Sequence, residues 1–278
     1  MGLRISTNMA AIAANRALTN SSAEQAKSFQ RLSSGNRITQ AGDDAAGLSI
    51  SENLRAQIRS IGQATRNAND GISFVQVAEG GLNEIGNMLI RMRELSVQAA
   101  SDTIGDKERG YINQEVQSLT QEVDRISNTT EFNGTKLLNG EAPHELSFQV
   151  GIRKESNGGD RLAFNPNDYN VRSSTLGIDG IAYTSTDDAR DAMDKVDSAI
   201  GKVFEARAKL GATQNRLQST VNNLQISSEN LSAARSRIAD TDVAVETSEL
   251  VRKNILQQAG ISVLAQANQA PMAALKLL

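Results

Sequence analysis

The stretch from Asn254 to Leu278, NILQQAGISVLAQANQAPMAALKLL, has Lys276 as its only charged side chain and Pro271 as its only helix breaker. Its Ala, Leu, Gln and Ile favour helix. A helix on the surface of a globular domain sets a charged face against an apolar one. This stretch has no charged face, only Gln, Asn and Ser. A membrane span is excluded as well, because Gln257, Gln258, Gln266, Asn268 and Gln269 interrupt every run that approaches the ~20 apolar residues a bilayer needs. Its large apolar side chains (Ile255, Leu256, Ile261, Val263, Leu264, Leu275, Leu277, Leu278) bury too little surface, for an isolated helix, to offset the entropy of ordering the segment. Such a segment orders only when covered on all sides, which points to the inside of an assembly.

The other end of the chain has a similar texture. Residues from Ile5 to Leu32 read as a helix in which Ile5, Met9 and Ile12 start one apolar seam, and Leu18, Phe29 and Leu32 mark another. Alanines fill much of the rest, so this helix too needs a partner. The two ends can pair as a coiled coil if the middle folds back. The side chains expected to make the core contacts of the assembled polymer are Ile5, Met9, Ile12 and Leu18 from one end and Ile255, Ile261, Leu264 and Leu275 from the other.

The middle carries stronger signals. Ser33-Ser34-Gly35-Asn36 breaks the first helix. A second helix is expected from about Leu54 to Ala100, with Ile58, Ile61, Thr65, Ala68, Ile72, Val75, Ala78, Leu82, Ile85, Leu89 and Met92 stepping by three and four. Glycines inside it, notably Gly80-Gly81, mark either a break or a place where neighbours press close; the unbroken phase favours close packing. A third helix follows Ile104-Gly105, on Ile112, Val116, Leu119, Val123 and Ile126. From Asn128 to Thr186 the texture changes to turn signals, including Asn133-Gly134, Asn139-Gly140 and Asn157-Gly158-Gly159. Leu146, Phe148 and Val150, then Leu162 and Phe164, alternate with polar residues and predict a β-hairpin near 140–166.

A fourth helix begins near Asp187, where acidic residues suit the positive end of the helix dipole. It holds the strongest seam: Met193, Val196, Ile200, Val203, Leu210, Leu217, Val221, Leu224, Leu231 and Ile238. Asp240-Thr241-Asp242 caps a fresh helix into the terminus. The fold class is therefore mainly α, a long helical bundle or coiled coil with a small β-hairpin element. Aromatics at 3% and the absence of Trp agree with helix seams rather than a bulky globular core.

Function classes fall away in turn. A net charge of −3 and no basic aromatic patch argue against nucleic acid. There is no Cys and one histidine, His144. His144-Glu145 opens like the zinc-protease H-E-x-x-H, but Phe148 stands where the second ligand is needed, so no metal or other cofactor is expected. Asp43-Asp44, set among Gly42, Ala45, Ala46 and Gly47, reads as a turn or cap rather than an acid–base pair. The chain is not expected to be an enzyme.

The run RLSSGNRITQAGDDAAGLSISENLRAQI (residues 31–58) resembles the N-terminal signature of bacterial flagellin. So do QATRNANDGIS (63–73), RELSVQ (93–98), TEFNGTKLLNG (130–140) and ILQQAGISVLAQANQ (255–269). The resemblance implies a structural subunit that polymerises into the flagellar filament and serves motility. It implies an inner coiled coil of residues 1–40 and 239–278, a spoke or linker at 41–57, and a rod-like bundle over 58–238. Larger members insert outer domains between the second and third rod helices; here only residues 128–186 separate Ser127 from Asp187, so the chain resembles a short form without them. Export unfolded through the flagellar type III machinery with an export chaperone, contact with the filament cap and hook-associated proteins, and an extracellular location without a cleaved signal peptide are further implications. Arg91, Leu95 and Glu115 match rod positions that in the family form an axial subunit surface and contact the Toll-like flagellin receptor. A hook–filament junction protein and a secreted coiled-coil effector are the alternative readings.

Overall fold

The computed structural model describes residues 7–141, 145–154 and 159–275. Ile5 and His144 lie outside the described residues, as does the side chain of Leu275. Helices dominate: α1 (Met9–Ser34), α2 (Ala45–Ala99), α3 (Asp106–Thr129), the single-turn α4 (Ser173–Leu176), α5 (Thr186–Ala239) and α6 (Val243–Leu275). Between α3 and α4 lie β1 (Glu131–Phe132), β2 (Thr135–Lys136), β3 (Leu146–Gln149) and β4 (Arg161–Phe164), followed by a 3-10 turn at Pro166–Tyr169. The contacts divide the chain into two compact units, residues 59–228 and residues 1–58 with 229–278.

In the unit of residues 59–228 the expected seams meet in one core. Leu82, Ile85, Leu89 and Met92 of α2, Val116 and Val123 of α3, and Val196, Val203, Leu210 and Leu217 of α5 are each wholly buried. Helix α2 passes through Gly80-Gly81 unbroken. A Cβ on Gly81 would stand 2.7 Å from Leu138 Cδ1 and 2.9 Å from Thr130 Oγ1, whereas Gly80 faces open space. Close packing therefore explains one glycine of the pair.

The predicted hairpin is β3–β4, antiparallel with Leu146 opposite Phe164 and Gln149 opposite Arg161. It packs on α2 through rings. Phe74 takes Phe132, Phe148 and Phe164 edge-on at centroid distances of 5.6, 5.4 and 4.9 Å, and Phe164 stacks on Tyr169 at 4.7 Å. The scarce aromatics are thus concentrated where short strands, which have little surface of their own to bury, must be held to a helix. A second, smaller hairpin, β1–β2, turns at Asn133-Gly134. The α2–α3 turn is closed by Arg109, 7% exposed. Its guanidinium donates to the carbonyls of Ala99 and Ser101 and to Thr186 Oγ1, at 3.0, 3.2 and 3.1 Å.

In the other unit, α1 and α6 lie antiparallel. Asn8 Nδ2 donates to the Ala267 carbonyl at 2.7 Å near one end of the pair, and Arg31 meets Glu246 at 3.7 Å near the other. The β-bridge between Asn36 and Asp240, with Arg37 N donating to Ala239 O and Thr241 N to Gly35 O, ties the end of α1 to the α5–α6 junction. Helix α2 begins at Ala45, earlier than the Leu54 expected. Asp44 Oδ1 accepts from Gly47 N at 2.8 Å and caps it. Gly47 serves packing rather than breaking the helix, since a Cβ there would come within 2.9 Å of Ile38 Cδ1.

Candidate functional site

The two carboxylates of Asp43-Asp44 have separate duties. Asp43 forms an ion pair with Lys27 at 2.6 Å and accepts from the backbone and hydroxyl of Thr39, both at 3.2 Å. The hydrogen bond from Lys27 does most to hold its carboxyl down at about 2, against the opposing effect of partial burial, and Thr39 adds to it. Asp44 is the cap just described, so the pair ties loop to helix. Among the described residues no group of three or more His, Cys, Asp or Glu could hold a metal ion. Among the described residues no helix is long and apolar enough to cross a membrane.

The distinctive surface belongs to α1 and α6. On α1 a half-buried or buried row runs Ala11, Ala14, Leu18, Ser21, Gln25, Ser28 and Leu32 at three-four spacing, with Ser22 and Arg31 half-buried beside it. On α6 the facing row is Glu246, Leu250, Lys253, Gln257, Gly260, Leu264 and Ala267 at the same spacing, with Glu249 and Asn254 half-buried beside it. Much of the seam is small or polar. Gln25 bonds Asn254, Lys253 Nζ donates to Ser28 Oγ at 2.8 Å, Gln257 reaches Ser22 Oγ at 3.4 Å, and Leu18 closes over Gly260.

The residues expected at the polymer core divide between the two faces of this pair. Leu18 and Leu264 lie in the seam, but Met9, Ile12, Ile255 and Ile261 point away and are 67, 49, 61 and 54% exposed. Phe29, Val243, Val245, Val251, Leu256 and Val263 are exposed on the same helices. The seam mixes leucines with small and polar side chains, and the other large apolar residues of the two helices stay outside it. The sequence signal for the intrachain seam is its Ala, Ser and Gln at three-four spacing with Leu18 and Leu264.

The third group of expected residues is split by the fold. Arg91 and Glu115 bring α2 and α3 together through a contact of 2.9 Å, and Arg91 also reaches Glu94 at 3.1 Å. Both partners, Glu115 first, raise the already high pKa of Arg91. Leu95 does not share this face. It is 1% exposed in the core, because three-four stepping from Leu82 through Leu89 and Met92 carries it inward. Arg93, which sequence reasoning left without a role, instead joins α2 to α5 through Asp197 at 2.5 Å.

Comparison with known proteins agrees with this architecture at both ends of the chain. Residues 5–142 match the family described as the bacterial flagellin N-terminal helical region, and residues 193–278 match the bacterial flagellin C-terminal helical region. The flagellin of Halalkalibacterium halodurans is 43% identical over 274 residues, 99% of each chain. The flagellar filament 33 kDa core protein of Treponema phagedenis is 40% identical over 289 residues, again 99% of each. Among solved structures, the flagellin of Bacillus cereus superposes with a TM-score of 0.51 at 26% identity, covering 61% of this chain and 94% of that one. With both terminal helical regions matched and full-length relatives well above 30% identity, this chain belongs to the bacterial flagellin family.

Proposed function

We propose that this chain is the structural subunit of an extracellular flagellar filament, and that α1 and α6 build the inner layer of that polymer. The observation that carries the reading is the outward face of the pair. Met9, Ile12, Phe29, Val251, Ile255, Leu256, Ile261 and Val263 are exposed on helices that have already used their seam faces to hold each other. Water is a poor solvent for so much apolar surface, and neighbouring copies of the same pair would cover it. The end-to-end match to flagellins supports the same reading over a hook–filament junction protein or a secreted effector. A structural subunit needs no catalytic centre.

Within that reading, residues 1–40 and 239–278 form the inner layer, 41–57 a spoke and 58–238 a rod. The termini order on assembly, having threaded the type III export channel unfolded. An export chaperone, the filament cap and the hook-associated proteins are the expected partners besides further copies of the chain. Purified full-length protein seeded with filament fragments should grow filaments visible by electron microscopy; failure to elongate under any salt condition that supports other flagellins would overturn the proposal.

Arg91 and Glu115 are proposed as an axial contact that a Toll-like flagellin receptor can also reach on free subunits. Leu95 acts only by supporting the helix beneath. In a receptor reporter assay Arg91→Ala should weaken the monomer's signal, with Glu115→Gln doing the same. An unchanged signal from both, or silence from the unmodified monomer, removes the receptor from the account.

A further inference from the structure

The chain contains Asn-Gly at Asn133, Asn139 and Asn157, of which the third lies outside the described residues. The first two sit close in sequence and differ in surroundings. Asn133 and Gly134 are the two central residues of the β1–β2 hairpin, with Phe132 opposite Thr135 and φ of +50° and +78°. The Asn133 side chain is exposed and accepts or donates no hydrogen bond among the described residues, and open space surrounds Gly134 where a side chain would stand. Asn139 is 3% exposed. Its Nδ2 donates to Glu141 Oε2 at 3.1 Å and its Oδ1 accepts from Glu141 N at 3.0 Å. Gly140 is crowded by Asn170, whose Nδ2 lies 2.5 Å from where its Cβ would be.

We propose that Asn133 is a site of spontaneous deamidation and backbone isomerisation, selected over Asn139 by the local fold. The backbone nitrogen of Gly134, after losing its proton to solvent, bonds to the Asn133 side-chain carbonyl carbon Cγ. The Cγ–Nδ2 bond breaks and Nδ2 leaves as ammonia, giving a five-membered imide. One water then opens the imide at either carbonyl. Opening at the main-chain carbonyl carbon leaves an isoaspartyl linkage; opening at Cγ leaves aspartate. The net change is asparagine plus water to aspartate or isoaspartate plus ammonia. Glycine after the asparagine leaves the attacking nitrogen unshielded, and an exposed two-residue loop opens far more readily than a buried one. At Asn139 the amide is held at both atoms and water is kept out, so the leaving group, the approach and the hydrolysis are all opposed.

The product matters to the fold. An isoaspartyl linkage lengthens the main chain by one methylene inside a loop whose residue count sets the pairing of Glu131 with Lys136 and Phe132 with Thr135. Phe132 is one of the three rings on Phe74, so slippage there loosens the hairpin's hold on α2.

The test uses the unmodified full-length chain, aged in parallel in native buffer at mildly alkaline pH and in concentrated urea. Peptide mapping by mass spectrometry, with isoaspartyl methyltransferase labelling to identify the isomer, reads both sites in one sample. Natively, Asn133 should convert about tenfold or more faster than Asn139, whose two hydrogen bonds must open first; in urea the two rates should converge. Equal native rates would mean that local structure does not select the site. Conversion of Asn133 in urea but not natively would mean that the hairpin protects it. Either result overturns the proposal.

Discussion

At the scale of single residues, adjacent glycines in α2 serve opposite ends. Replacing a helical glycine by alanine removes backbone freedom from the unfolded chain and is worth ~0.5–1 kcal/mol where there is room. Gly80 has that room and Gly81 does not, since its Cβ would overlap Leu138 and Thr130. Gly80→Ala should therefore raise the midpoint of urea unfolding. Gly81→Ala should lower it, because overpacking costs typically ~1–3 kcal/mol and exceeds the propensity gain. A gain from both would show that Leu138 yields without cost. Asp43 supplies the pH-dependent counterpart. Its carboxyl, 9% exposed beside a half-exposed Lys27, is held at about 2, below its ordinary value. A folded-state value depressed in this way contributes stability above the unfolded carboxylate's ~3.9, and the contribution is lost as pH falls from there through about 2. Lys27→Met should move the Asp43 titration, followed by carboxyl NMR, upward towards the unfolded value and shrink the acid-dependent loss that Asp43 carries. An unmoved titration would assign the depression to Thr39 and the loop backbone instead.

At the scale of elements, the hairpin β3–β4 owes its position to a ring cluster centred on one helix residue. Phe74 is 4% exposed and touches a ring from β1, from β3 and from β4. Phe74→Ala should cost ~3–5 kcal/mol and release the strands before the three-helix core, so protease cutting between 141 and 161 should precede global unfolding. If the two transitions coincide, the strands and helices form one cooperative unit. The long seams, from Val75 to Met92 and from Val196 to Val221, were legible in the sequence because large apolar side chains at helical spacing inside one unit have only one place to go. The alternating Leu146–Phe148 and Leu162–Phe164 segments were legible for the equivalent reason at period two. The first turns of α2 were not. The stretch around Asp43-Asp44 reads as a turn or cap, and only the Asp44 bond to Gly47 and the nearness of Ile38 reveal a helix already under way. Leu95 was misplaced because similarity to a surface motif says nothing of helical phase. Counted from Leu82, Leu89 and Met92, its position was already inward. The α1–α6 seam escaped because the size of an apolar side chain does not tell which of two faces meets the chain's own partner and which meets another copy.

At the scale of the whole molecule, that division of faces predicts that stability and assembly can be separated by substitution. Leu217 is wholly buried in the core of the 59–228 unit. Leu217→Asp places an unpaired carboxylate there, at a cost of several kcal/mol, and should lower the melting temperature of the free subunit clearly. Ile261 is large, apolar and 54% exposed on α6. Ile261→Asp should leave the subunit's melting nearly unchanged, whether α6 is docked on α1 or frayed in solution, because the side chain faces water in either case. In the polymer the outcome reverses. The inner layer would enclose the new carboxylate, and no basic residue between Asn254 and Gln269 is available on its own helix to pair with it. Elongation should stop or slow severely. Calorimetry on both purified variants, followed by seeded elongation read by light scattering, decides the matter. Early melting of Ile261→Asp would make this face part of the subunit's own core, against its exposure here. Normal melting together with normal elongation would leave the outward face of α6 uncovered in the filament. The inner layer would then have to be built from other surfaces of the pair.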